Sequence, residues 1–216
     1  MSDPLVLPLG EAAVTIRLSE VGGVEVAERA AALAELIRRE SIDGVTEVVP
    51  GIASVSVFYE LRASSCEAQT RQVKEVLARS RDLAASAAAF ATHIVPTRYD
   101  GPDLDEVAER VHLSREAVIR AHAAPEYHVL TIGFLPGWGY LGPLDPALSL
   151  PRRTAPRTRV PAGSVAIAGA QTGVYPRVTP GGWHLIGATD IVLFDPQRDP
   201  PALFRAGDRV RFVPVA

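Results

Sequence analysis

Cys66 is the only cysteine in 216 residues. A single thiol makes neither an intrachain disulfide nor a thiolate zinc cluster. At the head of the helical pattern SSCEAQTRQV it reads as an inert thiol rather than a nucleophile. Lysine is equally scarce, with Lys74 alone in that same pattern. A phosphate-binding loop needs Gly-Lys-Ser/Thr against the phosphates, so a Walker loop is excluded and a Schiff-base lysine is not expected. The other basic residues are all Arg, and Ala is abundant, a bias that a GC-rich genome explains without invoking function. No window approaches 18 uninterrupted apolar residues, and MSDPLVLPLGEA carries no basic segment ahead of an apolar one. Neither a transmembrane helix nor a secretory signal is expected, and the expected location is cytoplasmic.

The composition itself is ordinary: 47% apolar, 22% charged, net charge −3. That excludes wholesale disorder. A sequence pI near 6.0 argues against a dedicated nucleic-acid binder. The length suits one large domain or two small ones. Residues 1–88 read as a small α/β unit. LVLPLG and AAVTIRL suggest a hairpin, and Val26, Ala30, Leu33, Ala34 and Ile37 recur at helical spacing over Val24 to Glu40. TEVVP and ASVSVFYE follow as strands, and Ser64 with Glu67 suggests a capping box for a helix reaching about Leu83. The order β-β-α-β-β-α suits a ferredoxin-like sandwich. AASAAAFA, residues 84 to 91, is read as a helix tail or linker, and residues 89–216 form the second domain. There, Asp103 with Glu106 suggests another capping box, Ser114 opens a helix, and YHVLTIGF is a strand. Most of the 18 prolines lie beyond residue 95, too dense for long helices. Short strands VAIA, HLIG, IVLF and RVRFVP between turns indicate a closed or nearly closed β-barrel. The fold class expected is therefore α+β.

Gly137, Gly139 and Gly142 spell the dinucleotide fingerprint, but Pro143, Asp145 and Pro146 follow where a helix would have to start; NAD binding is rejected. The charge distribution says more. Between Asp145 and Asp190 there is no acid, while Arg152, Arg153, Arg157, Arg159 and Arg177 fall in that stretch with His184. Guanidinium forks suit carboxylate or phosphate, and the competing reading pairs some of them with Asp100, Asp103 or Glu126. The five histidines, His93, His112, His122, His128 and His184, form no HxxxH or HExxH, so no metal site is expected. His122 ends a helix, where a cation favours the dipole. Ser164 lacks a nucleophile elbow. Gln171, Thr172, Tyr175 and Trp183 supply polar and stacking groups around Gly-rich turns, where barrels usually meet ligands. The residues alone describe an anion-binding β-barrel beside an α/β domain.

Three blocks carry a resemblance: HAAPEYHVLTIGFLPGWGYLGPLD, LPRRTAPRTRVPAGSVAIAGAQTGVYP and TPGGWHLIGATDIVLFDP. Together they resemble the family of the 5-oxoprolinase B subunit, also known as allophanate hydrolase subunit 1, which includes a sporulation histidine-kinase inhibitor of bacilli. The likeness covers about residues 90 to 214 and extends more weakly through GEAAVTIRL and GVTEVVPGIASVSVFY. Two positions depart from the family pattern: Trp138 where Phe is usual, and Ala188-Thr189-Asp190 where Arg-Thr-Pro is usual. The resemblance implies a cyclophilin-like barrel for the C-terminal domain and work as one part of an ATP-dependent lactamase. In that scheme ATP is used by a partner protein, this chain binds no cofactor, and it acts with a C-subunit homologue and an A-subunit homologue of 5-oxoprolinase. On this basis Arg152 and Arg157 are expected to clamp the oxygens of a small anionic substrate. His122 is expected to transfer a proton, and Gln171, Tyr175 and Trp183 to shape the pocket. The resemblance carries two alternatives, a kinase-regulating role and a carboxyltransferase-type or allophanate-hydrolase-type role on another amide. No membrane or nucleic-acid partner is expected.

Overall fold

A computed structural model describes residues 4–80 and 90–216 and divides the chain into two compact units, Met1–Phe90 and Ala91–Ala216. The reading of residues 84 to 91 as a tail or linker falls almost wholly outside the described residues.

In the first unit, strands β1 (Leu5–Pro8), β2 (Ala13–Arg17), β3 (Val45–Pro50) and β4 (Ser54–Tyr59) pair antiparallel in the order β1-β2-β4-β3. Strand alternation sends Val14, Ile16, Val55 and Val57 to one face. Helices α1 (Val24–Arg39) and α2 (Cys66–Ser80) cover that face with Ala30, Leu33, Ala34 and Ile37, and with Val73 and Val76. Each large apolar side chain buried there contributes about 1.5–3 kcal/mol. The element order is the one read from the sequence. A ferredoxin-like sandwich is usually connected β-α-β-β-α-β, whereas here the chain opens on a hairpin, so edge strand β1 precedes both strand–helix units. The cap of α2 also differs from expectation. Ser65 Oγ accepts the Ala68 N–H at 3.2 Å, while Ser64 Oγ accepts from the Gln69 side chain at 3.0 Å.

The second unit is built on β5 (Thr92–Thr97), β6 (Tyr127–Ile132), β7 (Gly139–Gly142), β9 (Ser164–Ala168), β10 (Gln171–Val174), β12 (His184–Ala188) and β13 (Arg209–Pro214). These form one seven-stranded sheet, β12-β9-β10-β7-β6-β13-β5. Its ends meet: Arg98 and Ala188 exchange both backbone hydrogen bonds, at 2.9 and 2.8 Å. The sheet is thus a nearly closed barrel. Strands β8 (Arg157–Val160) and β11 (Thr179–Gly181) form a separate ribbon. Helices α3 (Leu104–Arg110) and α4 (Arg115–Ala123) pack on the barrel. Ser114 caps α4 as expected, accepting the Ala117 N–H at 3.2 Å. Val129, Leu141, Val165, Ile167, Val174, Ile186, Val210 and Phe212 fill the interior. IVLF does not form the strand expected of it; only Phe194 makes an isolated bridge, to Ala202. The Gly137-Gly139-Gly142 run lies in a turn and in β7, with no α-helix after it. Among the described residues no helix is long and apolar enough to cross a membrane.

Candidate functional site

Strand β9 is buried on both faces, and its alternation explains why. Val165 and Ile167 point into the barrel, while Ala166 and Ala168 point out. Across the β9–β10 register, Ala166 faces Gly173 and Ala168 faces Gln171. Small residues therefore floor the outer face, and aromatic rings lie on it. Trp138 packs so closely against Gly173 that a Cβ there would stand 2.9 Å from the indole. Trp138 meets Tyr175 at 4.7 Å and Trp183 at 5.0 Å between ring centroids, both edge to face. Such pairs contribute about 0.5–1.5 kcal/mol beyond their buried area. Phe134, 59% exposed, and Tyr140 extend the cluster from Trp138 at 5.7 and 5.8 Å.

The arginines reach this face from the loop before β8 and from β8 itself. Arg152 is exposed; Arg153 and Arg157 are each about three-quarters buried. The Tyr175 hydroxyl has its pKa raised by burial. The raise is opposed by a hydrogen bond from the Trp183 backbone and by the positive charges of Arg152 and Arg157. The sequence-predicted residues Arg152, Arg157, Tyr175 and Trp183 therefore come together, and Gln171 lies on the same outer face of the sheet.

The acids that balance these arginines come from α3. Asp103, 2% exposed, occupies the N-cap position but makes no side-chain cap. This corrects the capping-box reading. Its Oδ2 accepts the Leu185 backbone N–H at 2.7 Å, which fixes β12. Its Oδ1 accepts from Arg157 at 2.6 Å and from Arg153 at 3.1 Å. Glu106, the other half of the supposed box, pairs with Arg153 at 3.1 Å and with Arg110 at 3.4 Å. Glu126 pairs instead with Arg209, at 3.8 Å. Even so, donors are left over. Among the described residues of this unit, the buried side-chain N–H donors with no hydrogen-bond partner are Trp138 Nε1, Arg153 Nε and Arg157 Nη1; His184 Nδ1 is also unpartnered, as an acceptor. The His184 Nε2–H donates to the Pro151 carbonyl at 2.9 Å, beside Arg152. Native interiors leave few such atoms, and here they gather around one loop.

His122 behaves in the opposite way. It is fully buried, and both ring nitrogens are engaged: Nδ1 with the Tyr99 hydroxyl at 2.7 Å and Nε2 with Thr172 Oγ1 at 2.8 Å. Thr172 Oγ1 donates to the Ala166 carbonyl at 3.0 Å, so it accepts from Nε2–H, and Nδ1 accepts from the tyrosine. Tyr127 donates to the His122 carbonyl at 2.8 Å. Burial lowers the imidazole pKa to about 3. The ring is held neutral with no nitrogen facing solvent, a setting unlike the one its expected role in proton transfer calls for. His93 pairs with the buried Asp208 at 2.9 Å, away from this face.

Sequence reasoning named Asp103 among three possible acid partners of the arginines but also gave it a helix cap, because an acid three residues before Glu at a helix start looks like one; the pairing with Arg153 and Arg157 is the reading that holds. The same reasoning treated Trp138 only as a departure from a pattern. The acid-free stretch from 146 to 189 was the available signal for Asp103, since the partners of buried arginines had to come from outside it.

Residues 4–204 match the family model described as "Carboxyltransferase domain, subdomain C and D". The chain is 40% identical over 219 residues to the 5-oxoprolinase B subunit of Bacillus subtilis, spanning 96% of this chain and 91% of that protein. It is 41% identical to the 5-oxoprolinase B subunit of Escherichia coli O157:H7, spanning 95% and 94%. Among solved structures it is similar to TTHA0988, with a TM-score of 0.85 and 40% identity; 95% of this chain spans 40% of that longer one. The Kluyveromyces lactis urea carboxylase, 19% identical with a TM-score of 0.72, shares the fold.

Proposed function

Because the chain belongs to the carboxyltransferase subdomain C and D family, we propose that it is the B subunit of an ATP-dependent 5-oxoprolinase, opening 5-oxoproline to L-glutamate together with the A and C subunits. The observation that carries this reading is the near end-to-end match to proteins of that name, at 37–41% identity. The physical setting agrees with it. 5-Oxoproline is an unstrained, resonance-stabilised lactam bearing a carboxylate, so ring opening needs activation and the substrate needs cationic recognition. Of the two waters the net reaction takes up, one ends in the glutamate side-chain carboxylate and the other in the phosphate released with ADP. With a single lysine and no phosphate loop, this chain leaves ATP to a partner and is inactive alone.

In this reading Arg152 and Arg157 bind the substrate carboxylate or an activated oxygen. Gln171, Tyr175 and Trp183 line the flat face against which the planar ring rests. His122 is a positioning residue, fixing Thr172 on the strand whose outer face carries Gln171 and Gly173. We read the barrel as cyclophilin-like and the N-terminal unit as ferredoxin-like with its last strand moved to the front. The test is ATP-dependent release of glutamate from 5-oxoproline by the chain alone, with a C-subunit homologue, and with the C- and A-subunit homologues together. Release only by the full set is expected. No release from a well-formed assembly moves the substrate to another amide, and no assembly at all ends the subunit reading.

A further inference from the structure

We propose that Asp103 is a positioning residue for a small-carboxylate subsite. It aligns Arg153 and Arg157 and holds their charge below the level at which any anion would occupy the site. The inference rests on the function proposed above for the identity of the substrate, but its anion-binding half stands on geometry alone. Asp103 gives up the helix cap its position offers and places both oxygens inside the unit. One oxygen fixes the β12 backbone next to Trp183, and the other takes a single nitrogen from each of two guanidinium groups. A guanidinium carries five N–H donors. After these bonds and the Glu106 contact, Arg157 Nη1 and Arg153 Nε are still without acceptors.

An unmet charged donor in a buried setting is costly, and a bidentate carboxylate is the ligand that matches two such forks. The two guanidinium groups that Asp103 binds, Arg153 and Arg157, outweigh it by one positive charge, while Glu106 is shared with Arg110. One excess charge at the Asp103 carboxylate suits a monoanion such as a ring carboxylate; a larger excess would hold inorganic phosphate in competition with it.

The chain supplies its own probe, because its only two tryptophans, Trp138 and Trp183, both lie in this cluster. Asp103→Asn keeps an oxygen for the Leu185 N–H and removes the charge. Tryptophan fluorescence of the full chain, titrated with inorganic phosphate at low salt, is expected to show the variant binding roughly fivefold more tightly than the parent, the effect of one unit charge at about 4 Å in water. In the assembled enzyme, assayed with inorganic phosphate present, the same variant is expected to raise KM for 5-oxoproline at least about tenfold, because its arginines are no longer aligned and phosphate competes, while kcat changes less than about threefold. Asp103→Glu, which restores the charge, should recover part of the KM. A purely structural Asp103 would weaken phosphate binding and lower kcat together, and that result overturns the assignment. Should Asp103→Asn fail to fold, Arg153→Gln decides: unchanged phosphate binding by that variant also overturns it. If the wild-type assembly releases no glutamate, the lactam reading falls, and the phosphate titration still decides the subsite.

Discussion

The two faces of strands β9, β10 and β12 are only a side chain apart, yet they treat polar atoms in opposite ways. Inside the barrel, Tyr99, His122 and Thr172 form one directed chain of hydrogen bonds that ends on the Ala166 carbonyl, and every polar atom of the imidazole has a partner. On the outer face and its arginine loop, three buried N–H donors, Trp138 Nε1, Arg153 Nε and Arg157 Nη1, have none. A saturated buried network rigidifies a core. An unsaturated one stores free energy that a ligand or partner oxygen releases. Burial of a histidine is therefore poor grounds for assigning catalysis here, and incomplete satisfaction of arginines is better grounds for assigning binding.

The largest expected effect comes from emptying the outer face. Arg157→Ala should lower kcat/KM of the assembled enzyme by about 100-fold or more while the chain still folds, Arg153 remaining on Asp103. Wild-type turnover by that variant removes Arg157 from the site. Breaking the inner network should do the reverse. His122→Ala is expected to cost about 3–5 kcal/mol of stability through a cavity and the orphaned Tyr99 hydroxyl, read as a lower denaturation midpoint of the C-terminal unit. A midpoint unchanged by that substitution contradicts the relay.

Acid tests the same network. The folded imidazole titrates near 3 and the unfolded one near the ordinary value of 6.5, so the unfolded chain takes up the proton first. Stability from this group is complete above about pH 6.5 and is lost as pH falls toward 3, at up to about 1.4 kcal/mol per pH unit. His122→Gln should flatten that slope in urea titrations at pH 4 to 6. The mildest change is Trp183→Phe, which keeps a ring on the Ala168 side of the floor. It should cost less than about 1.5 kcal/mol and remove much of the fluorescence response to phosphate. A full response in that variant places the anion nearer Trp138.

Much of the fold was legible because local periodicity reports it. Helix α1 follows the spacing of Ala30, Leu33, Ala34 and Ile37 within one residue of the expected end, and Ser114 caps α4 as its position indicated. IVLF misled because an apolar run of four has no period of its own, and its neighbours Asp190, Asp195 and Pro196 leave it no partner strand beyond one bridge. The site was half legible. An acid-free run holding five arginines is a one-dimensional fact, and so is the presence of Gln171, Tyr175 and Trp183 around turns.

Which arginines were spoken for was a three-dimensional matter. Asp103 lies 50 residues before Arg153 and 54 before Arg157, and no spacing rule spans that distance. His122 likewise owes its neutrality to Tyr99 and Thr172, brought to its two nitrogens from 23 residues before it and 50 after. The linear chain set the charge balance, the element order and the residues able to bind an anion, because composition and periodicity are local. The assignment of each polar group to a partner or to none came from closure of the barrel, because pairing energies depend on distances of a few ångströms that folding alone creates.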